Sequence, residues 1–156
     1  MKSLLLIAVM SVLMWLGAAS AVAQSPDSDS VAGQFVGAWR LAWLEQPAAD
    51  GKLYRIECCG MLVYTQDGHM SVQVMEREPQ AQATGPQQYS QGGYEASYGT
   101  YQVNESDHTF TFHVEGALVR SLIGKDLPRA YELSGKQLIV KSTRSDEHWR
   151  VCWERY

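Results

Sequence analysis

From Phe35 onward the chain alternates apolar and polar residues with the period of two that marks a β-strand buried on one face. The first such run places Phe35, Trp39, Leu41 and Trp43 on one side and Val36, Ala38, Arg40 and Leu44 on the other, and extends to about Glu45. Gly37 weakens a strand unless something packs close to the backbone there, and a Trp two residues later suggests a ring plugging the end of a barrel; the alternative is an ordinary first strand with a core Trp. Turn material follows at 47–51, a short strand at 52–57 and a clear one at 60–65. Asp67-Gly68 between two apolar runs signals a hairpin, returning over 69–75. Strands are expected again at 98–103, 108–115, 129–133, 136–142 and 148–155. With the short 52–57 segment set aside, eight main strands joined mostly by short turns, with no convincing long helix, predict an all-β fold: an eight-stranded up-and-down antiparallel β-barrel. A two-sheet sandwich is the competing architecture.

Residues 79–93 break the pattern. The stretch is rich in Gln, Gly and Ala, has no charged residue, and favours neither strand nor helix. It reads as a flap over the barrel, with one helical turn near 94–97, or as a plain surface loop.

The N-terminus reads as a targeting segment. Lys2 is followed by an almost unbroken apolar run to Ala19, and Ala21-Val22-Ala23 offers the small residues a signal peptidase reads. Residues 1–23 are therefore expected to be a signal peptide, 24–33 a polar tether and 34–156 the barrel, with a periplasmic or secreted destination. Loss of Lys2 takes the formal charge from −4 to −5. That acidic balance argues against nucleic acid as the main partner, and nothing after the leader is long and apolar enough to span a bilayer.

An exported chain permits disulfides, and there are three cysteines, Cys58, Cys59 and Cys152. Neighbouring Cys58 and Cys59 are poorly placed to bridge each other, so the bridge expected, if there is one, joins Cys152 to either. Barrel order objects: with the first strand between them they stand about 9–10 Å apart, beyond the roughly 7 Å Cα separation a disulfide tolerates. No Cys/His spacing suggests a metal site, no nucleophile motif or phosphate-cradling glycine loop is present, and no cofactor or catalytic residue is implied. Asn104-Glu105-Ser106 is a glycosylation sequon, meaningful only in a eukaryotic secretory pathway.

Six stretches in order resemble the bacterial and fungal lipocalin-like domain family of the calycin group. Gly37-Ala38-Trp39-Arg40 is similar to the Gly-x-Trp signature, and Tyr64-Thr65-Gln66-Asp67-Gly68-His69-Met70-Ser71 to the Tyr-x-x-Asp-Gly-x-Met-Ser hairpin. Tyr98-Gly99-Thr100-Tyr101, His113-Val114-Glu115-Gly116, Gly124 to Tyr131, and Trp153-Glu154-Arg155 resemble the later motifs. The chain departs from the family at Pro128, which puts that strand's pairing in question, and in the Gln-rich flap, where a more regular helix is usual.

The resemblance implies a barrel that holds a small hydrophobic or amphipathic ligand. It also implies that a basic residue covers the ring of Trp39 beside Gly37: Arg155, or Arg40 or Arg150 in its place. Periodicity separates Phe110, Phe112 and Val114 from Thr109, Thr111, His113 and Glu115, and alone would turn the polar set to water. Because His113, Glu115 and Arg129 fall in family motifs, the resemblance favours the opposite: all three inside as polar anchors, with Tyr64, Tyr101, Tyr131 and Trp153 lining the apolar remainder. Two other functions stay open: a cofactor-independent isomerase or cyclase using His113 or Glu115 as acid or base, and an envelope interaction module with no ligand.

Overall fold

The computed structural model describes residues 29–48, 50–78 and 89–156. The expected signal peptide, residues 24–28 of the tether and residues 79–88 of the flap lie outside the described residues. Among the described residues a short helix, α1 (Val31–Phe35), precedes nine strands: β1 (Gly37–Pro47), β2 (Leu53–Ile56), β3 (Cys58–Tyr64), β4 (His69–Glu76), β5 (Tyr94–Asn104), β6 (Thr109–Ala117), β7 (Asp126–Ser134), β8 (Gln137–Ser142) and β9 (Arg150–Arg155). From β3 to β9 each strand pairs antiparallel with the next, and β9 returns to β1. β3 pairs with the first half of β1 (Gly37↔Tyr64 to Arg40↔Met61) and β2 with its second half (Leu44↔Ile56 to Pro47↔Leu53), so β2 and β3 form one stave broken at Glu57. The result is the closed, eight-stave antiparallel barrel expected from the succession of hairpins; closure between β9 and β1 pairs the main staves on both sides, and among the described residues β2 keeps one free edge.

Three local expectations are corrected. Residues 94–97 are not a helical turn but the start of β5, where Tyr94 to Ser97 pair with Met75 to Val72. Trp43 does not share the inner face with Trp39. The β1–β9 register slips between Leu41 and Trp43, leaving Ala42 extra, so Leu44 takes the inward place and Trp43 points out between Arg55 and Arg150, 5.2 and 5.7 Å from its ring. The disulfide is also not formed: all three cysteines are free. β1 lies between β3 and β9, and two strand spacings, about 9–10 Å, exceed the reach of a bridge. Pro128 is accommodated because it pairs with Thr111 of β6 one residue before β8 pairing begins at Arg129.

One end of the barrel is plugged. Ser30 caps α1 by accepting from the Gly33 amide (3.0 Å), and α1 delivers Phe35, wholly buried, against Tyr64, Tyr131 and Phe110 with ring centroids 5.0–5.6 Å apart. Trp39 lies beside it, also wholly buried, and its Nε1 donates to the Phe35 carbonyl (2.8 Å). The Arg155 guanidinium covers the Trp39 ring at 4.3 Å and donates to the Val36 carbonyl (2.9 Å) and to that of Gln34. Gly37 sits at φ +131°, and a Cβ there would stand 2.8 Å from Arg155 Nη1. The glycine is therefore needed for both the backbone turn and the approach of the guanidinium.

Candidate functional site

The inner wall divides into layers along the barrel axis. At the plugged end Tyr64, Tyr101 and Tyr131 pack with Phe35; Tyr64 and Tyr101 meet edge to face at 4.7 Å. Tyr101 donates to the Thr65 carbonyl (3.1 Å), whereas the hydroxyls of Tyr64 and Tyr131 are buried with no hydrogen-bond partner among the described residues. Burial holds the Tyr64 phenol neutral, its pKa well above the usual value. These tyrosines were expected to line the ligand space. They fill the plug instead, and the open space begins one layer higher.

That space is a cavity of about 120 Å³, walled by Leu62, Met70, Val72, Phe112, Leu127 and Trp153 among others. Toward the mouth the lining turns polar, with Gln46, Glu76, Glu95, Ser97 and Arg129. The alternation of β4, β5 and β7 produces this: Glu76 follows Met70, Val72 and Val74 on the inner face, Glu95 and Ser97 precede Tyr101 on theirs, and Arg129 lies between Leu127 and Tyr131.

Arg129 is only 8 % exposed. Its guanidinium carbon lies 5.0 Å from the ring of Tyr89 and 5.0 Å from that of Trp149, and Nη1 donates to the Pro128 carbonyl (3.1 Å). Glu147 fixes this pair of rings: its carboxylate accepts from the Tyr89 hydroxyl (3.1 and 3.2 Å) and from Trp149 Nε1 (3.1 Å), and is paired with Arg144 (3.2 Å). Tyr89, the first described residue of the flap, is thereby held over the mouth. Glu95 keeps slight access to water through that mouth but is otherwise enclosed by protein. Burial pushes its carboxyl up to about 7, while the charge of Arg129 pulls the other way.

His113 and Glu115 are corrected outright: both point to the outside of the barrel. His113 Nδ1 lies 2.7 Å from Asp126 Oδ1 on the exposed surface. The opposite face of β6 wins because Phe110, Phe112 and Val114 are 2 %, 5 % and 0 % exposed. Burying three such side chains contributes roughly 1.5–3 kcal/mol each, while turning His and Glu inward would cost several kcal/mol without partners, on the order of 2–7 per polar group. Of the expected polar trio only Arg129 faces the lumen, and of the expected apolar lining only Trp153 borders the cavity. Glu95, Glu76, Tyr89 and Trp149 were not anticipated. Starting the fifth strand four residues earlier would have placed Glu95, Ser97 and Tyr101 on one face.

No group of three or more His, Cys, Asp or Glu side chains among the described residues is arranged to hold a metal ion. No described helix is long and apolar enough to cross a membrane.

A family model described as a lipocalin-like domain matches residues 36–155. No curated protein matches the chain. Among solved structures, an uncharacterised protein from Bacteroides eggerthii is 15% identical over 78% of this chain and 99% of its own, with a TM-score of 0.46. A redesigned β-barrel is 16% identical over 80% of this chain and 94% of its own, with a TM-score of 0.44. With residues 36–155 matched and a Gly37–Trp39–Arg155 plug at one barrel end, the chain belongs to the lipocalin-like domain family.

Proposed function

We propose that the protein binds a small, partly apolar molecule in the barrel lumen. The observation that carries this reading is a cavity with apolar walls and, at its mouth, a buried arginine clamped against two aromatic rings. Ligand sites of this kind are mostly apolar, with a few fixed polar groups that orient the occupant. A cofactor-independent isomerase using His113 or Glu115 is not supported, since neither reaches the lumen. Native mass spectrometry of freshly purified protein tests the carrier reading. The expected result is a species heavier than the chain that returns to the chain mass on denaturation. A chain that stays empty after exposure to extracts and small-molecule panels would overturn it.

Export belongs to the same proposal, on the strength of the apolar run from Ser3 to Ala19 and the Ala21-Val22-Ala23 exit. N-terminal sequencing of protein recovered outside the cytoplasm should begin within a few residues of Gln24. An intact Met1 there would sink it.

A further inference from the structure

We infer that the lumen selects a small monoanionic acid with a body about the size of one ring, held by Arg129 through its carboxylate, and that Glu95 takes up a proton as the acid binds. The inference rests on the lumen reading above and adds the ligand's size, its charge and a pH dependence.

Size comes first. An apolar cavity of roughly 150 Å³ holds a benzene molecule, and the lumen measures about 120 Å³. A single ring or a short branched chain matches that volume.

Charge comes from Arg129. It is more than nine-tenths buried, and no carboxylate pairs with it among the described residues. A buried charge without a counter-ion is costly. One guanidinium N–H is taken by the Pro128 carbonyl and another is drawn toward the Tyr89 hydroxyl, leaving the remaining donors of the five-donor fork to an incoming group. Stacking on Tyr89 and Trp149 fixes its plane, which suits two-point recognition of a carboxylate.

The pH dependence comes from what surrounds Glu95. Glu76 on neighbouring β4 faces the same mouth. Cys58 shares its face, pairing with Glu76 from β3, and its thiol is pushed up to about 11 by burial, so it is neutral. Across the lumen stands Arg129, beneath neutral Tyr89, with Glu147 engaged by Tyr89, Trp149 and Arg144. On β6 the charged groups, His113 and Glu115, point away. A ligand carboxylate entering this mouth meets ionised Glu95 as a repelling neighbour and protonated Glu95 as a hydrogen-bond donor. Binding the anion therefore draws one proton from solvent onto Glu95 wherever that group was ionised, with no bond made or broken in the ligand.

The test uses three probes of one shape: benzoate, benzyl alcohol and benzylamine. Each is titrated into purified protein between about pH 5.5 and pH 8.5, followed by the fluorescence of Trp149 and Trp153 and by calorimetry in two buffers of different ionisation enthalpy. Near pH 6 benzoate should bind at least about tenfold more tightly than the alcohol, a gap of about 1.4 kcal/mol, and benzylamine most weakly. Above pH 7 benzoate affinity should fall by up to about tenfold per pH unit, with close to one proton taken up per benzoate. Glu95→Gln should flatten the pH profile. Arg129→Gln should bring benzoate down to the level of the alcohol, with circular dichroism verifying the fold; if that variant does not fold, the wild-type and Glu95→Gln profiles still decide. Benzyl alcohol binding as tightly as benzoate, a preference for benzylamine, or a flat wild-type pH profile overturns the inference while leaving the lumen reading in place. Absence of binding by all three probes at every pH overturns the inference, and an extract-derived occupant seen by native mass spectrometry would show that the lumen reading survives it.

Discussion

Replacing Trp39 with alanine is expected to destabilise the protein by about 3–5 kcal/mol in urea unfolding. The ring is wholly buried, so its removal opens a cavity in the plug rather than at the surface. The substitution also takes away the Nε1 donor that ties the barrel wall to the Phe35 carbonyl, and with it the anchor of α1. Arg155 loses the face it covers at 4.3 Å but keeps its bonds to the Val36 and Gln34 carbonyls. Arg155→Ala should therefore cost less, about 1–2 kcal/mol, through lost packing and cation–π attraction. A loss below about 1 kcal/mol for Trp39→Ala would mean that the ring does not hold the barrel end together.

Glu95→Gln should stabilise the ligand-free protein at pH 8 and leave it unchanged near pH 4. The unfolded carboxyl titrates near its ordinary value of 4.5, and burial lifts it to about 7 in the folded state. Between those values the unfolded chain has lost the proton and the folded chain still holds it, so stability falls as pH rises and levels off once both forms are ionised. The shift corresponds to about 3 kcal/mol, trimmed to about 2–3 kcal/mol by the access to water that the cavity mouth allows. Glutamine keeps the shape and cannot ionise, so it escapes the loss. Urea unfolding of both proteins at several pH values reads the difference. Parallel curves for the two would show that Glu95 is solvated and that its burial in the lumen wall has no energetic consequence.

The barrel itself was legible because hairpin signals such as Asp67-Gly68 and a sustained period of two are local properties of the chain. What escaped was decided by contacts between distant residues. Ala42 is an unremarkable strand residue until β9 fails to offer it a partner, and that one slip sends Trp43 outside. α1 has five residues and its Phe35 fits the strand pattern equally well; only the plug identifies it as the end of a helix. His113 and Glu115 were drawn inward by their place in family motifs, against the simpler rule that the Phe110–Phe112–Val114 face of the same strand would claim the core. Arg129 is legible from its place in a family motif and from the face it shares with Tyr131, whereas reading 94–97 as a helical turn, where alternation has no meaning, hides Glu95.

The return of β9 to β1 brings Trp39 opposite Arg155, joining strands from opposite ends of the barrel sequence. Every other stave can zip onto its predecessor as a hairpin, but this seam closes a loop that contains β2 through β8. The entropy of closing so large a loop grows only slowly, about 0.6 kcal/mol per doubling of length, yet it must be met before the contacts it brings can repay it, and barrels dominated by such pairings fold on a scale of roughly milliseconds to seconds. Until Arg150–Arg155 dock, β1 carries a bare ladder of amides and carbonyls on one side. Another chain in the same state can offer its own β9 there as well as the correct one can. Refolding yield should therefore depend steeply on protein concentration even under conditions where the finished barrel is secure.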